Sequence, residues 1–290
     1  MSGFGNHPLE FYGKRVAQET IGDFASVMAM QQCPFLGRRC VKQRKSDSNQ
    51  TIGACAVGFQ GNPLIICPHR FIARNQIFLD CFYLLTQTEP GLEYFAVPEI
   101  SMPGGNIDYF LVATNGFFTL DYVGIEIQSL DTTGSGGIWT AREDVRQGLL
   151  APAYPYGINW RMSAKTILMQ MLHKADSFQG LGKKLVLVVQ TPFFNYLARE
   201  FRTDHLRPAN SEDTVHFHIY DSVLLNSELH LALKQRKSTS AEGIAKILVL
   251  GRESEIAPQE ILDRIKAKMV GARQIQPPPP IAHGGEESIE

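Results

Sequence analysis

The segment that decides the fold reads GIEIQSLDTTG and spans residues 124–134. Its first half alternates, so Ile125 and Ile127 face one side of a strand while Glu126 and Gln128 face the other. Acidic side chains are rarely buried without a partner. Two interpretations follow from the residues alone: the solvated face of an ordinary strand, or a site that uses a carboxylate.

The composition is typical of a globular chain. Of the 290 residues, 44% are hydrophobic and 20% are charged, which suffices for a packed core. No apolar run reaches the roughly 20 residues that span a bilayer, and the N-terminus lacks the apolar stretch of a signal peptide. We therefore expect a cytoplasmic protein with no membrane partner. The net charge of −1 leaves nucleic-acid binding to local basic patches.

Hydrophobic patterning predicts an α/β order of helices and strands. The predicted helices span residues 70–87, 159–178 and 258–270. The predicted strands span residues 92–97, 106–114, 117–128, 185–190, 214–225 and 245–251. The run LVLVVQ at 185–190 is wholly apolar, as expected of a strand that is buried on both faces.

Two further acids precede Glu126, namely Glu99 and Asp108, each on a predicted strand or at its end. A tight two-residue turn at Asn115-Gly116 would pair Asp108 with Val123 and would leave Asp108 and Glu126 on opposite faces. A five-residue loop or a β-bulge near the turn would instead set Asp108 across from Glu126. If the two acids share a site, the hairpin must have the wider loop or the bulge.

Four of the five cysteines fall within 35 residues, at Cys33, Cys40, Cys55 and Cys67. The spacing lacks the tight pairs of many zinc sites, but neighbouring Pro and Gly residues favour turns that bring thiols together. Five cysteines in an intracellular chain argue against a disulfide framework, so the choice lies between buried free thiols and a metal site. We favour a tetrahedral zinc or iron site, whereas Cys81 fits a core position.

A dense basic segment lies among these cysteines. Such runs are usually solvated loops. A basic loop held in place by a metal bound to the flanking cysteines would also be well suited to contact phosphates or the grooves of DNA. The candidate DNA-binding residues are Arg38, Arg39, Lys42, Arg44, Lys45, Arg70 and Arg74. Arg142 and Arg146 are further candidates for contact with the DNA backbone near the scissile phosphate.

The chain resembles the PD-(D/E)XK nuclease core, an αβββαβ unit with a mixed sheet flanked by helices. The resemblance lies in the order of its parts: an acid, a strand, Glu126-x-Gln128, a long helix and a buried strand. The cysteine contexts CPF and ICPHRF, followed by PEI, Asp108 and GIEIQSLDTTG, are similar to the NotI restriction endonuclease family over residues 30–190. Gln128 stands where the superfamily usually has a lysine.

The resemblance implies a type II restriction endonuclease that cleaves double-stranded DNA at a palindromic, GC-rich site with Mg²⁺. Carried over, Glu99, Asp108, Glu126 and Gln128 would be catalytic, with Asp108 and Glu126 as the Mg²⁺ ligands. The four cysteines would hold a structural iron (or zinc), and the enzyme would be a homodimer.

We divide the chain into an N-terminal metal-binding and DNA-contacting element (1–70), a catalytic domain (71–273) and a proline-rich, acidic tail (274–290). Two other functions remain open: a nuclease of the same superfamily in repair or in a mobile element, and a DNA-binding protein with a degenerate active site.

Overall fold

The computed structural model describes residues 5–249, except 18, 45, 46, 117, 135 and 202, together with residues 259, 262, 263, 266 and 267. The chain divides into two units, Met1–Gly251 and Arg252–Glu290. In the second unit the five described positions are helical, in agreement with the helix predicted there. The rest of that helix and the predicted tail lie outside the described residues.

The first unit alternates between strands and helices. Its strands are β1 (Pro8–Phe11), β2 (Lys14–Arg15), β3 (Gln32–Cys33), β4 (Arg38–Arg39), β5 (Gln43–Arg44), β6 (Asp47–Thr51), β7 (Ala54–Phe59), β8 (Asn62–Ile65), β9 (Glu93–Met102), β10 (Gly105–Thr114), β11 (Thr119–Ile127), β12 (Thr132–Thr133), β13 (Gly157–Ile158), β14 (Lys184–Gln190), β15 (Arg207–Pro208), β16 (Val215–Leu225) and β17 (Glu228–Thr239). Its α-helices are α1 (Phe24–Met30), α2 (Pro68–Phe71), α3 (Gln76–Leu79), α4 (Gly137–Arg146), α5 (Trp160–Gly180), α6 (Thr191–Glu200) and α7 (Ala241–Val249). Short 3₁₀ helices span Ile21–Asp23, Ala73–Asn75 and Phe82–Leu84.

A seven-stranded mixed sheet forms the centre, in the order β15-β17-β16-β14-β11-β10-β9. Strands β9, β10 and β11 form an antiparallel meander. Helix α5 then leads to β14, which runs parallel to β11 and to β16. A parallel pair needs such a crossover, which explains why the longest helix lies between these two strands.

Strand β14 is the predicted doubly buried strand, and this prediction is confirmed. Its residues from Leu185 to Val189 are fully buried. Leu185, Leu187 and Val189 belong to the core that contains Phe178 of α5, whereas Val186 and Val188 belong to a second core on the other face of the sheet. Burial on both faces explains why the strand carries no polar alternation.

The β10–β11 hairpin has the bulged register that the acids required. Tyr109 pairs with Ile125 and Ala113 with Asp121, but Thr114 pairs with Thr119, so the register shifts next to the turn. Continued by one residue beyond Tyr109, this register sets Asp108 across from Glu126. The prediction of a bulge or a wider loop is therefore confirmed.

Two predictions of secondary structure were wrong in whole or in part, and one long strand was missed. The predicted helix over 70–87 is broken into short pieces, because Arg74 and Asn75 have positive φ angles of 60° and 57°. Residues 245–249 of the strand predicted over 245–251 are instead the end of α7, which buries Ala241, Ile244 and Ile247 at helical spacing, and residues 250 and 251 lie outside the described residues. A short apolar run is compatible with either a buried strand or a buried helix. Strand β17 was not predicted at all.

The N-terminal residues contribute a separate sheet, in the order β2-β1-β7-β8. The side chain of Gln190, at the end of β14, accepts a 2.8 Å hydrogen bond from the backbone N–H of Ile65 and donates a 2.9 Å bond to its carbonyl. Gln190 therefore joins the edge strand β8 of this sheet to the central sheet. No helix among the described residues is long and apolar enough to cross a membrane.

Candidate active site and cysteine cavity

Three carboxylates lie on three neighbouring strands of the central sheet. Pairing of Pro98 with Tyr109, and of Ile100 with Ile107, places Glu99 of β9 across from Asp108 of β10. Asp108 in turn lies across from Glu126 of β11. The three acids selected from the sequence therefore lie side by side across the sheet.

Asp108 and Glu126 form the inner part of this row. The Oδ2 atom of Asp108 accepts a 2.8 Å hydrogen bond from the backbone N–H of Ile127. Burial raises the pKa of Asp108, and that backbone N–H opposes the shift. Burial also raises the pKa of Glu126 to about 7, with the Asp108 charge acting in the same direction. The charge of Asp108 thus disfavours ionisation of Glu126, as expected where two acids lie close together.

Lys174 also belongs to this site, although it was not among the site residues predicted from the sequence. Its Nζ atom lies 2.7 Å from Oε1 of Glu126 and donates a 2.6 Å hydrogen bond to the carbonyl of Asn106. The side chains of Lys174 and Glu126 are only 3% and 4% exposed. The signal in the sequence was a lysine placed three residues after Met171, on the buried stripe of a helix.

Gln128 follows the last residue of β11 and is half-buried. Its backbone N–H donates a 3.0 Å hydrogen bond to the carbonyl of Val188, which continues the ladder to β14. Its side-chain amide donates to the carbonyl of Ser129. By alternation Gln128 extends to the same side of the sheet as Glu126.

Glu99 is exposed and has an unusual backbone. Its φ angle is 49°, which is uncommon for a residue other than glycine and costs energy inside a strand. Its charge is one of the influences that raise the pKa of Asp108. Glu99 therefore belongs to the electrostatic environment of the inner pair.

The four predicted cysteine ligands line a single cavity of about 290 Å³, and all four are buried. They come from separate places in the fold: β3, the residue after β4, β7, and the residue before α2. Cys81 lies elsewhere, in the core on the far face of the sheet. Across the described part of the chain, no group of three or more His, Cys, Asp or Glu side chains has the geometry to hold a metal ion.

The cysteine thiols differ in their ionisation. A hydrogen bond from Cys55 lowers the pKa of Cys67 to about 6, and burial opposes that shift. The same hydrogen bond, together with burial, raises the pKa of Cys55. Burial also raises the pKa of Cys33. One thiolate is therefore stabilised by a neighbouring thiol, and thiolates are the form in which cysteine binds metals.

His69 connects the cysteine cavity to the carboxylate row. It lines the cavity, and it also interacts electrostatically with Glu99 and Asp108. Burial lowers the pKa of His69, with Arg38 acting in the same direction and the two acids opposing it. The cysteine element thus adjoins the candidate active site.

The predicted DNA-binding residues differ in their surroundings. Arg38 and Arg39 are exposed on β4, and Arg39 donates to the carbonyl of Asn49. Lys42 lies at the cysteine cavity, 3.2 Å from a carboxylate oxygen of Asp131. Arg74 is exposed and pairs with Glu228. Lys45 and the side chain of Arg44 lie outside the described residues.

Arg70 is buried and pairs with Glu10, through contacts of 2.6 and 3.0 Å. Its guanidinium also donates to the carbonyl of Leu229, so it is held within the protein rather than presented to DNA. Arg142 is likewise buried, and Arg146 pairs with Glu143 on the same helix. Arg70 and Arg142 therefore do not belong to an exposed basic surface with Arg38 and Arg39, whereas Arg146 is exposed.

A comparison with protein families matches residues 23–221 to the family model described as restriction endonuclease NotI. The match includes the four cysteines, the carboxylate row and Lys174. A search of curated proteins finds no match. Because the family model covers more than half of the 290 residues, the chain belongs to the NotI restriction endonuclease family.

Proposed function

We propose that this protein is a type II restriction endonuclease that hydrolyses both strands of DNA at a specific sequence. The observation that carries the proposal is the pairing of Asp108 with Glu126 on neighbouring strands, within a chain of a restriction endonuclease family. From the resemblance stated above, we expect a palindromic, GC-rich site, a homodimer and action in the cytoplasm.

The inner carboxylates suit a hard divalent cation. Mg²⁺ prefers oxygen ligands and keeps several waters, so two carboxylates are enough to hold it. Asp108 is fixed by Ile127, which leaves its other oxygen for a ligand, and Glu126 lies opposite. A bound Mg²⁺ would neutralise charge on the phosphate and lower the pKa of an attacking water.

The protein's own groups would do the positioning. Gln128, on the same side as Glu126, has an amide that can hydrogen-bond to water but carries no charge. Glu99, which has no fixed place in the inner pair, would act in the outer shell. We assign Glu99, Asp108, Glu126 and Gln128 to the catalytic site on this basis.

We further propose that Cys33, Cys40, Cys55 and Cys67 hold a structural iron or zinc ion. The donor set fits, because four sulfurs line one cavity and soft thiolates select such metals. In this proposal residues 1–70 form the metal-binding element, residues 71–273 the catalytic domain and residues 274–290 a tail. Arg38, Arg39, Lys42 and Arg74, together with Arg44 and Lys45, would contact DNA.

The first test is digestion of a long, fully sequenced phage DNA, with Mg²⁺ and with EDTA. We expect discrete fragments with common ends in Mg²⁺ only. Cleavage without a defined sequence would favour a repair or mobile-element nuclease. Intact DNA together with a gel shift would favour a DNA-binding protein with a degenerate site.

The matched variant is Asp108→Asn. Its amide oxygen can still accept the hydrogen bond from Ile127, so the fold is kept while the negative charge is lost. Asp108→Ala would also leave that N–H unsatisfied, at a cost of about 1–3 kcal/mol in the free energy of unfolding. We expect Asp108→Asn to lose cleavage and to retain both its melting temperature and DNA binding. Cleavage at the wild-type rate would contradict the assignment.

A further inference from the structure

A buried ammonium group enters the carboxylate site from helix α5. Lys174 reaches Glu126 and the carbonyl of Asn106, and both charged side chains are almost fully buried. A buried charge is costly unless it is paired and hydrogen-bonded. The pair is therefore a specific arrangement and not a lysine that happens to lie over the surface.

The sheet is shaped to let α5 approach this closely. A Cβ atom on Gly104, in the β9–β10 turn, would lie 2.9 Å from the carbonyl oxygen of His173, the residue before Lys174. A Cβ atom on Gly124 would lie 2.3 Å from the ring of Phe178, one helical turn further along α5. Because Gly104 and Gly124 have no Cβ atom, the segment of α5 that carries Lys174 can lie close to the β9–β10 turn and to β11.

The segment of β11 that carries Glu126 supplies no positive charge of its own. The third residue of the Glu126-x-Gln128 element is neutral, so β11 itself supplies no cation beside the two acids. Lys174 approaches from the helix and contacts Oε1 of Glu126 at 2.7 Å. Partners behind a metal-binding carboxylate commonly fix its orientation in this way.

We propose that Lys174 is a positioning residue that holds Glu126 as an oriented carboxylate for a divalent cation. This inference rests on the proposed function, because it deepens the assignment of Asp108 and Glu126 as the cation site. Lys174 acts through Glu126 and makes up for the positive charge that Gln128 cannot provide.

The variants to compare are Lys174→Met, Lys174→Arg and, as the control on the same helix, Lys165→Met, whose side chain is exposed. The first measurement is calorimetric titration of the intact protein with Mn²⁺ in the absence of DNA. Loss of such a partner typically weakens metal binding by about 10- to 100-fold. We expect weakening of that order in Lys174→Met, partial recovery in Lys174→Arg and no change in Lys165→Met.

A melting experiment without metal separates this role from simple packing. Lys174→Met leaves the buried carboxyl group of Glu126 without its partner, and Glu126→Gln leaves the buried ammonium group of Lys174 without its ionic partner. Each single variant should melt at a lower temperature, and the double variant should melt above both. Independent, additive losses would overturn the pairing argument.

Cleavage kinetics provide the last readout. At saturating enzyme, the cleavage rate of Lys174→Met should fall at least about tenfold, while DNA affinity in Ca²⁺ stays within about twofold. Unchanged Mn²⁺ affinity in Lys174→Met, or no Mn²⁺ binding by the wild type, would overturn the inference. If the wild type binds Mn²⁺ but does not cleave DNA, the proposed function fails while the titration still decides the role of Lys174.

Discussion

Two buried histidines should make the stability of this protein sensitive to acid. His216 and His218 lie on the same face of β16 and are fully buried. The hydroxyl of Tyr83 lies 3.3 Å from His216 Nδ1 and 3.2 Å from His218 Nε2. Burial lowers the pKa of His216 to about 4 and that of His218 to about 3, and the positive charge of Arg236 contributes to the latter shift.

The sign and size of the effect follow from these values. An unfolded histidine has a pKa of about 6.5, so between about pH 6.5 and 4 the unfolded chain binds protons that the folded chain does not. Stability is therefore complete above the unfolded pKa and is lost as the pH falls toward the folded pKa. Each histidine should remove about 2 kcal/mol from the free energy of unfolding between pH 7 and pH 5.

The assay is urea denaturation at pH 7, 6 and 5 of the wild type, His216→Gln and His218→Gln. The glutamine side chain is polar but does not titrate, so each variant should lose about 2 kcal/mol less than the wild type over this range. Comparing the pH dependence of variant and wild type removes the contribution of other groups. This matters because the raised pKa of Glu126 acts with the opposite sign.

The exposed His173 supplies the matched control. His173→Gln is measured alongside as the control for the substitution itself. If the unfolding free energies of His216→Gln and His218→Gln run parallel to that of the wild type from pH 7 to pH 5, the buried histidines do not govern acid stability and the reasoning is refuted.

Gly124→Ala should lower the free energy of unfolding by about 1–3 kcal/mol in urea denaturation, because its methyl group would overlap the ring of Phe178; unchanged stability would mean that α5 is not held closely at this point. Gln190→Leu should cost about 2–4 kcal/mol in the same assay, since it leaves a backbone N–H and a carbonyl of β8 buried without partners; a smaller loss would show that the two sheets are joined mainly by other contacts. Elemental analysis of purified protein should find iron or zinc in the wild type and in Cys81→Ser, but much less in Cys55→Ser. Equal metal content in both variants would exclude the cysteine cavity as the metal site.

Features that depend on local pattern could be predicted from the sequence. The apolar run of β14 predicted a strand buried on both faces, since no polar side chain interrupts it. A shared site for Asp108 and Glu126 required a wider loop or a bulge in the hairpin, because strand alternation allows only one parity of register to place both on one face. Helix α7 was missed because its apolar residues are too few to separate the two periodicities.

Features that depend on distant pairing could not be predicted. Arg70 was assigned to a DNA-contacting surface, but Glu10, sixty positions earlier, folds against it and buries its charge. Lys174 was not assigned to the site, because only the tertiary fold brings Asn106, at the start of β10, and Glu126, near the end of β11, beside it. In both cases the role of the charged residue can be predicted only when its ionic partner is known, and the tertiary fold determines that partner.

The two candidate metal sites adjoin, and this has a consequence for how the cysteine element would act. His69 lies two residues after Cys67, lines the cysteine cavity and interacts with Glu99 and Asp108. A metal held by Cys67 would restrain the start of α2 and with it the position of His69. Removal of the metal would then disturb the electrostatics around Asp108 as well as the N-terminal fold. The cysteine element is therefore expected to support the active site directly, in addition to carrying exposed basic residues such as Arg38.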